Sequence, residues 1–300
     1  MTAASPRRRV WTRLTRHRLA RTSLIFLVVL VLLSLFAPLI AALRGVDPAT
    51  TDLFRRFEPP SAEYWLGTDD LGRDLFQRLL DGGRVSLLVG LSGAVLSAIL
   101  GAAVGVVAGY LGGRLDGFLM RFTDGVISLP LLPLLIVLAA IDPRKIGIPA
   151  EIAQSESFSL YRIVVIVALT GWTTVARLVR AETLSLKARD FTRAAQALGA
   201  QPARIMFRHI LPNAAGSLVV ATTMSVGALI LFESTLSFLG LGTQPPAASW
   251  GNMLTGAQEL LQQAPMLAVW PGLLIFLTVI AFNFVGDGLQ DALDPRSERR

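Results

Sequence analysis

The sequence contains no cysteine, only two histidines and only two lysines. The lack of cysteine excludes disulfide bonds and thiol catalysis. His17 and His209 lie too far apart in the sequence for the short spacings that are typical of metal-ligand motifs. Neither Lys145 nor Lys187 follows a glycine, so the chain has no phosphate-binding P-loop. We therefore expect no catalytic residue, no metal site and no bound cofactor in this chain, and no ATP hydrolysis by it.

Charged residues are also scarce. They make up 16% of the 300 residues, whereas 53% are hydrophobic; an average soluble domain carries about 25% charged residues. Arginine supplies nearly all of the net charge of +7. A basic chain is sometimes a nucleic-acid-binding protein, but here the cations flank apolar stretches instead of sharing one soluble face. The composition therefore predicts a multi-pass protein of the lipid bilayer that does not bind nucleic acid.

The amino-terminal region predicts a retained membrane span. Residues 1–21 carry seven arginines and no acid, and the uncharged stretch 22–43 follows. A signal peptide has an apolar core of only about 7–15 residues, so we interpret 22–43 as the first transmembrane helix, with residues 1–21 in the cytoplasm. Cleavage near Ala41 is the alternative. The polar residues 44–84 then form an extracytoplasmic loop.

Five further apolar stretches predict five further spans, at 85–113, 118–141, 163–176, 210–232 and 260–286. Pro130 and Pro133 interrupt the third span of the chain. The fourth is only 14 residues long, which is short for about 30 Å of hydrocarbon unless flanking arginines extend to the interfaces. Six spans place both termini in the cytoplasm. Residues 85–300 would then form the main transmembrane domain, with the basic loop 181–212 on its cytoplasmic side.

Small residues recur at every fourth position in the second predicted span. We call this set the small-residue ladder; it consists of Gly93, Ser97, Gly101, Gly105 and Gly109. Such spacing places small side chains on one helix face, where another transmembrane helix packs closely. The sequence leaves open whether that helix belongs to this chain or to a partner.

Two carboxylates fall within apolar stretches. Asp124 lies near the start of the third predicted span and Glu233 near the end of the fifth. Ionisable residues inside a membrane are candidates for a translocation path or for ion coupling. For Glu233 the alternative is an interfacial carboxylate that is hydrogen-bonded to a hydroxyl group nearby.

The loop between the fourth and fifth predicted spans is the most informative segment. Gly199 and Pro202 divide it into a helix at 190–198, which contains Ala194 and Ala195, and a second helix that ends near Pro212. Small residues permit close approach, so this pair of helices is expected to insert into a groove on a partner protein. An ordinary amphipathic surface pair is the alternative.

Residues 67–74 read Gly-Thr-Asp-Asp-Leu-Gly-Arg-Asp. The glycines permit turns, and the aspartates can cap a helix that begins at Leu75. We interpret the segment as a solvated turn and helix cap, with substrate binding as the alternative.

These motifs resemble a known family. The 193–212 pattern is similar to the cytoplasmic loop of ABC importer permeases. The matching residues are Ala194, Ala195, Gly199, Leu211 and Pro212. Two positions differ: Arg193 stands where that family usually has glutamate, and His209 where it usually has isoleucine. The 67–74 segment resembles the signature of C-type permeases of the dipeptide, oligopeptide and nickel family. Residues 236–254 and 286–296 also resemble that family.

The resemblance implies an all-α permease of the type I ABC importer fold in a bacterial cytoplasmic membrane. It implies a heterodimer with a B-type permease, two cytoplasmic ATPase subunits that hold ATP and magnesium, and an extracytoplasmic solute-binding protein. The solute would be a peptide, a nickel chelate or glutathione, moved by alternating access. Two other functions stay open: an ion-coupled secondary transporter that uses Asp124 and Glu233, and a membrane scaffold without transport activity.

Overall fold

A computed structural model describes residues 6–48, 50–153, 155–244 and 247–293. Within these ranges the regular structure is helical, and the β pairing is limited to one isolated bridge between Thr68 and Asp74. The α-helices are α1 (Pro6–Arg16), α2 (Arg18–Leu35), α3 (Ala37–Arg44), α4 (Leu75–Leu111), α5 (Gly113–Ser128), α6 (Leu131–Ala140), α7 (Ala150–Ala153), α8 (Glu156–Lys187), α9 (Asp190–Ala197), α10 (Pro202–Ile205), α11 (Leu211–Phe238), α12 (Ala257–Leu260) and α13 (Met266–Leu293). A π-helix, Met206–Ile210, joins α10 to α11, and short 3₁₀ helices lie at Leu53–Arg55, Pro143–Ile146 and Asn252–Leu254.

Five helical segments of the described chain are long and apolar enough to cross a membrane: α2, α4, most of α8, the continuous helix Pro202–Phe238, and α13. Helices α5 and α6 make a sixth span when they are counted together, although they meet at an angle of 88°. The bend lies at Leu129, whose extended backbone precedes Pro130; a proline forces its predecessor out of helical geometry. The predicted all-α fold with up to six spans is confirmed, with the third span broken.

Two helix boundaries differ from the sequence-based prediction. The first span is divided at Phe36 instead of running through 22–43, because Pro38 in the first turn of α3 lacks the N–H that would continue α2. Helix α4 begins ten residues before the end of the predicted loop 44–84. Its 37 residues are about 55 Å long, so its first turns project beyond about 30 Å of hydrocarbon.

The small-residue ladder of α4 packs against α8 of the same chain. A Cβ atom at Gly101 would lie 2.6 Å from the carbonyl oxygen of Trp172, and one at Gly105 would lie 2.5 Å from that of Ala176. At the second position of the ladder, the Ser97 hydroxyl donates a hydrogen bond of 3.1 Å to the carbonyl of Ala168 in α8. The two helix backbones are therefore in direct contact, with no room for a side chain at the glycines.

The remaining spans surround this pair. The hydrophobic core lies where α2, α4, α8, α11 and α13 meet, and its buried members include Leu27, Val89, Val167, Leu229 and Ile275. We call the end of the bundle that holds residues 188–205 the lower end, and the end that holds residues 67–74 the upper end. Leu14 and Ala20 pack against Ala292. A Cβ atom at Gly216, near the start of α11, would lie 3.7 Å from Leu293. Both ends of the described chain therefore lie at the lower end, as six spans require.

Candidate functional site

Helix α9 at the lower end closes with a turn that depends on glycine. Gly199 has a φ angle of +78°, a conformation that side chains with a Cβ atom adopt at a cost. Its N–H donates to the carbonyl of Gln196, and the N–H of Ala200 donates to that of Ala195. This pair of hydrogen bonds is the Schellman motif, which terminates α9 and redirects the chain toward α10.

One face of α9 packs back onto the bundle. Ala195 is buried in a cluster with Tyr110 of α4, Val175 and Val179 of α8, and Ile205 of α10. On the same face, Thr192 is fully buried, and its hydroxyl donates a hydrogen bond of 2.8 Å to the carbonyl of Leu186. The small side chain at Ala195 therefore permits close contact within this chain.

A face of α9 next to the buried one is exposed and apolar. Phe191 is 41% exposed and Leu198 is 87% exposed, and Ala194 lies between them on the helix surface. We call these three residues the apolar stripe. The sequence-based prediction placed Ala194 and Ala195 together in one contact with a partner. In the structure Ala194 is exposed and Ala195 is buried. Arg193 is exposed beside the stripe and forms no ion pair within the described residues.

The second segment of the loop does not end at Pro212, so that prediction is wrong. The chain is helical without a break from Pro202 to Phe238. The N–H of Leu211 donates to the carbonyl of Met206, five residues earlier. This wider π turn precedes Pro212 and accommodates its missing N–H. His209 and Leu211 are half-buried, whereas Pro212 is exposed.

Polar contacts join the lower loop to the spans. The Lys187 ammonium donates a hydrogen bond of 2.6 Å to the carbonyl of Tyr110 and lies 5.3 Å from the centre of its ring. The Ser217 hydroxyl donates a bond of 2.9 Å to Glu182. No sequence motif marks Tyr110 or Ser217, because each partner is distant in the sequence.

Residues 114–117, between the second and third predicted spans, belong to α5. That helix is attached to α8 by two ion pairs. Arg180 donates hydrogen bonds of 2.5 and 2.6 Å to the two carboxylate oxygens of Asp116. Asp124 pairs with Arg177, and both side chains are about half exposed. The structure thus places Asp124 on an open helix surface.

Glu233 lies in different surroundings. It is fully buried. Its carboxylate accepts hydrogen bonds of 3.0 Å from the Ser86 hydroxyl and 2.7 Å from the Ser237 hydroxyl. The backbone N–H of Trp250 in turn donates to Ser86. Glu233 therefore joins α4, α11 and the 249–251 segment through hydroxyl groups.

The 67–74 segment forms a compact structure at the upper end. Asp74 caps α4 through a bond of 2.8 Å from the N–H of Gln77 and also accepts 2.7 Å from Arg44. A Cβ atom at Gly72 would overlap the carbonyl of Asp52. The cap agrees with the sequence-based interpretation. The prediction that this segment is solvated is wrong, because Thr68, Asp69 and Asp74 are all buried.

Comparison with known proteins identifies the family. Residues 101–299 match the family model of the binding-protein-dependent transport system inner membrane component. Residues 5–60 match the N-terminal TM domain of oligopeptide transport permease C.

Individual relatives cover almost the whole chain. The chain is 39% identical to the oligopeptide transport system permease protein OppC of Bacillus subtilis, over 95% of its own length and 88% of the relative's. It is 38% identical to the dipeptide transport system permease protein DppC of Alkalihalophilus pseudofirmus, over 98% and 91%. It is 39% identical to the glutathione transport system permease protein GsiD of Shigella flexneri, over 97% and 91%. The chain therefore belongs to the family of binding-protein-dependent transport system inner membrane components, and it is a multi-pass membrane permease subunit of a bacterial ABC importer.

Proposed function

We propose that this chain is the C-type permease of an importer for di- and oligopeptides, or for a related solute such as glutathione or a nickel chelate. In this proposal it forms a heterodimer with a B-type permease, and the lower end faces the cytoplasm. Two ATPase subunits bind there and hold ATP and magnesium, and a solute-binding protein delivers solute to the upper end. The names of the relatives support the solute class, and the observation that carries the mechanism is the exposed apolar stripe of α9.

The apolar stripe is suited to an ATPase surface. Its three residues are presented to solvent, while the adjoining face of α9 is fixed to the bundle through Ala195 and Thr192. A short rigid helix with one apolar face fits a groove on a partner protein. ATP-driven closure of the ATPase pair would therefore move α9 together with α10.

The helix that follows α10 provides the connection to the upper end. Because Pro202–Phe238 is continuous, a displacement of α10 is transmitted to Glu233 and to the end of α11, about 55 Å away at 1.5 Å per residue. Each ATPase state that contacts α9 differently would then favour a different arrangement of the spans, which is the linkage that alternating access requires.

A groove between α4 and α11 is suited to the second permease. Its volume is about 610 Å³, and it is lined mainly by apolar residues, including Val95, Ile99 and Ala103 of α4 and Leu218 and Val219 of α11. A groove of this size and composition accepts side chains of a neighbouring transmembrane helix. We assign that helix to the B-type permease.

Replacing Ala103 with tryptophan is expected to fill this groove and to prevent heterodimer assembly. Ala103 is exposed, so the bulky side chain should leave the fold of the isolated chain intact. The measurement is co-purification of an affinity-tagged B-type permease, with Ala103→Ser as the control that keeps a small side chain. Normal co-purification of Ala103→Trp would show that the groove faces lipid.

The function is tested by reconstituting all subunits into liposomes and measuring peptide uptake. We expect uptake that requires ATP and is unaffected by a proton ionophore. We also expect Glu233→Gln to keep uptake within about twofold of the original, because an amide still hydrogen-bonds to Ser86 and Ser237. An ion-coupled transporter would behave in the opposite way: the ionophore and Glu233→Gln would each abolish uptake in the absence of ATP. A scaffold would show no uptake at all.

A further inference from the structure

A polar cavity lies at the upper end, apart from the groove and from the apolar stripe. Its volume is about 340 Å³. One wall comes from the 67–74 segment and the first turns of α4, including Asp69, Arg73 and Arg78. The other comes from the end of α11 and the chain that follows it, including Thr243 and Asn252. Two parts of the sequence that lie about 170 residues apart thus enclose it.

Two arginines of the cavity wall share one carboxylate. The Nε atom of Arg73 lies 2.7 Å from Oδ2 of Asp69, and the Nε atom of Arg78 lies 3.1 Å from the same oxygen. The other oxygen of Asp69 accepts from the backbone N–H groups of Leu71 and Arg73. Asp70 also lines the cavity, but its side chain is about half exposed and lies 3.7 Å from Arg73. Asp69 is therefore fully occupied, and one carboxylate is divided between two buried guanidinium groups.

Two donors of the cavity wall are not fully satisfied. Within the described residues, Arg78 is 8% exposed, and its Nε atom has only the ion pair with Asp69 at 3.1 Å, which lacks hydrogen-bond geometry. Thr243 is 3% exposed, and its hydroxyl has no hydrogen-bond partner in the described part of the chain. The other polar groups are satisfied: the amide of Asn252 contacts Ser249, Thr243 and Ala247 through hydrogen bonds. Leaving a buried donor without a partner is unfavourable.

We propose that this cavity binds a carboxylate group through Arg78 and Thr243. Arginine binds carboxylates through paired N–H donors, and a threonine hydroxyl can donate a further bond to the same anion. The volume suffices for one amino-acid side chain or one peptide terminus. The N–H of Thr243 donates to the Ser237 hydroxyl, which donates to Glu233. Occupancy of the cavity is thereby connected to the contact between α4 and α11.

This inference rests on the proposed function, because a carboxylate would reach the upper end in one of two ways. It is either the free carboxylate of the transported peptide or an acidic side chain of the solute-binding protein. Both present the same chemistry to Arg78 and Thr243, so the experiment must distinguish them.

The test uses Thr243→Val in the reconstituted complex. Valine keeps the shape of threonine and removes only a hydroxyl that has no partner in the described part of the chain, so the fold should not lose stability. The matched control is Thr278→Val, because the Thr278 hydroxyl on α13 is also buried without a partner but lies outside the cavity. Arg78→Lys is a second variant that keeps the charge and removes the paired donors.

Two measurements identify the source of the carboxylate. The first is the ratio of trialanine uptake to trialanine amide uptake. If the solute supplies the carboxylate, we expect Thr243→Val and Arg78→Lys to lower this ratio by about tenfold.

The second is the concentration of binding protein that gives half-maximal ATPase stimulation. If the binding protein supplies the carboxylate, we expect both variants to raise this concentration by about tenfold and to leave the uptake ratio unchanged. The binding protein's own preference between the two peptides is the same for every variant, so it does not affect the comparison of uptake ratios between variants.

The proposal is overturned if both variants leave both measurements unchanged, or if Thr278→Val changes them as much as Thr243→Val does. Failure of the proposed function is a separate result, because the unmodified complex would then show no ATP-dependent uptake. Basal ATPase activity should stay the same in every variant, since the cavity lies at the opposite end from the apolar stripe.

Discussion

Replacing Gly105 with leucine is expected to destabilise the α4–α8 pair by at least about 3 kcal/mol, the upper part of the range for overpacked cores. A Cβ atom at this position would lie 2.5 Å from the carbonyl oxygen of Ala176 and 2.9 Å from the backbone nitrogen of Arg180. These atoms belong to a helix backbone and cannot rotate away as a side chain can. The helices must therefore separate, and the contacts along the rest of the small-residue ladder weaken with them.

The measurement is thermal unfolding of the purified chain in detergent, followed by tryptophan fluorescence. We expect the midpoint for Gly105→Leu to fall by about 6 °C or more, with a lower yield of membrane-inserted protein. Gly272→Leu is the matched control: Gly272 also lies within a long apolar helix, α13, but no atom would lie within 4 Å of an added Cβ. An unchanged midpoint for Gly105→Leu would mean that α4 and α8 are not in backbone contact.

Replacing Leu198 with glutamate is expected to abolish uptake while the chain stays folded and inserted. Leu198 is 87% exposed, so the new carboxylate is hydrated in the isolated chain and costs little stability. In the assembled transporter the same carboxylate would be placed in an apolar groove of the ATPase, where an unpaired charge is strongly unfavourable. The ATPase subunits should then dissociate, or hydrolyse ATP without stimulation by loaded binding protein.

Uptake and ATPase rate are measured in the same proteoliposomes. Arg193→Glu is the control, because it adds a carboxylate to α9 outside the apolar stripe. We expect Arg193→Glu to be tolerated. If Leu198→Glu supports normal uptake, the stripe is an ordinary surface and the coupling mechanism loses its support.

Two further variants of the same loop separate docking from folding. Ala195→Trp should lower the unfolding midpoint, because Ala195 is buried against Tyr110 and Val179 within this chain. Gly199→Val should cost about 1–2 kcal/mol from its φ angle of +78° alone, since nothing lies within 4 Å of an added Cβ. Both variants should therefore lose stability before they lose contact with an ATPase, in contrast to Leu198→Glu.

The sequence by itself determined the architecture. Uncharged stretches of about 20 residues must form helices in hydrocarbon, because a backbone without water satisfies its hydrogen bonds only internally. The apolar stretches therefore place five of the spans, the fourth needs its flanking arginines as well, and Pro130 alone indicates that the third span is interrupted. Local rules also predicted the cap at Asp74, because its hydrogen bond joins residues only three positions apart.

The tertiary structure decided which of these features meet. The sequence showed the small-residue ladder but not its partner, since α8 begins 47 residues after Gly109. Ala194 and Ala195 look equivalent in the sequence, yet one is exposed and the other buried, because only the packing of α9 on α4 and α8 defines an inner face. Ser86 and Glu233 are 147 residues apart. No local pattern can predict such a contact, because helix periodicity specifies which face of a helix is apolar and not which element covers it.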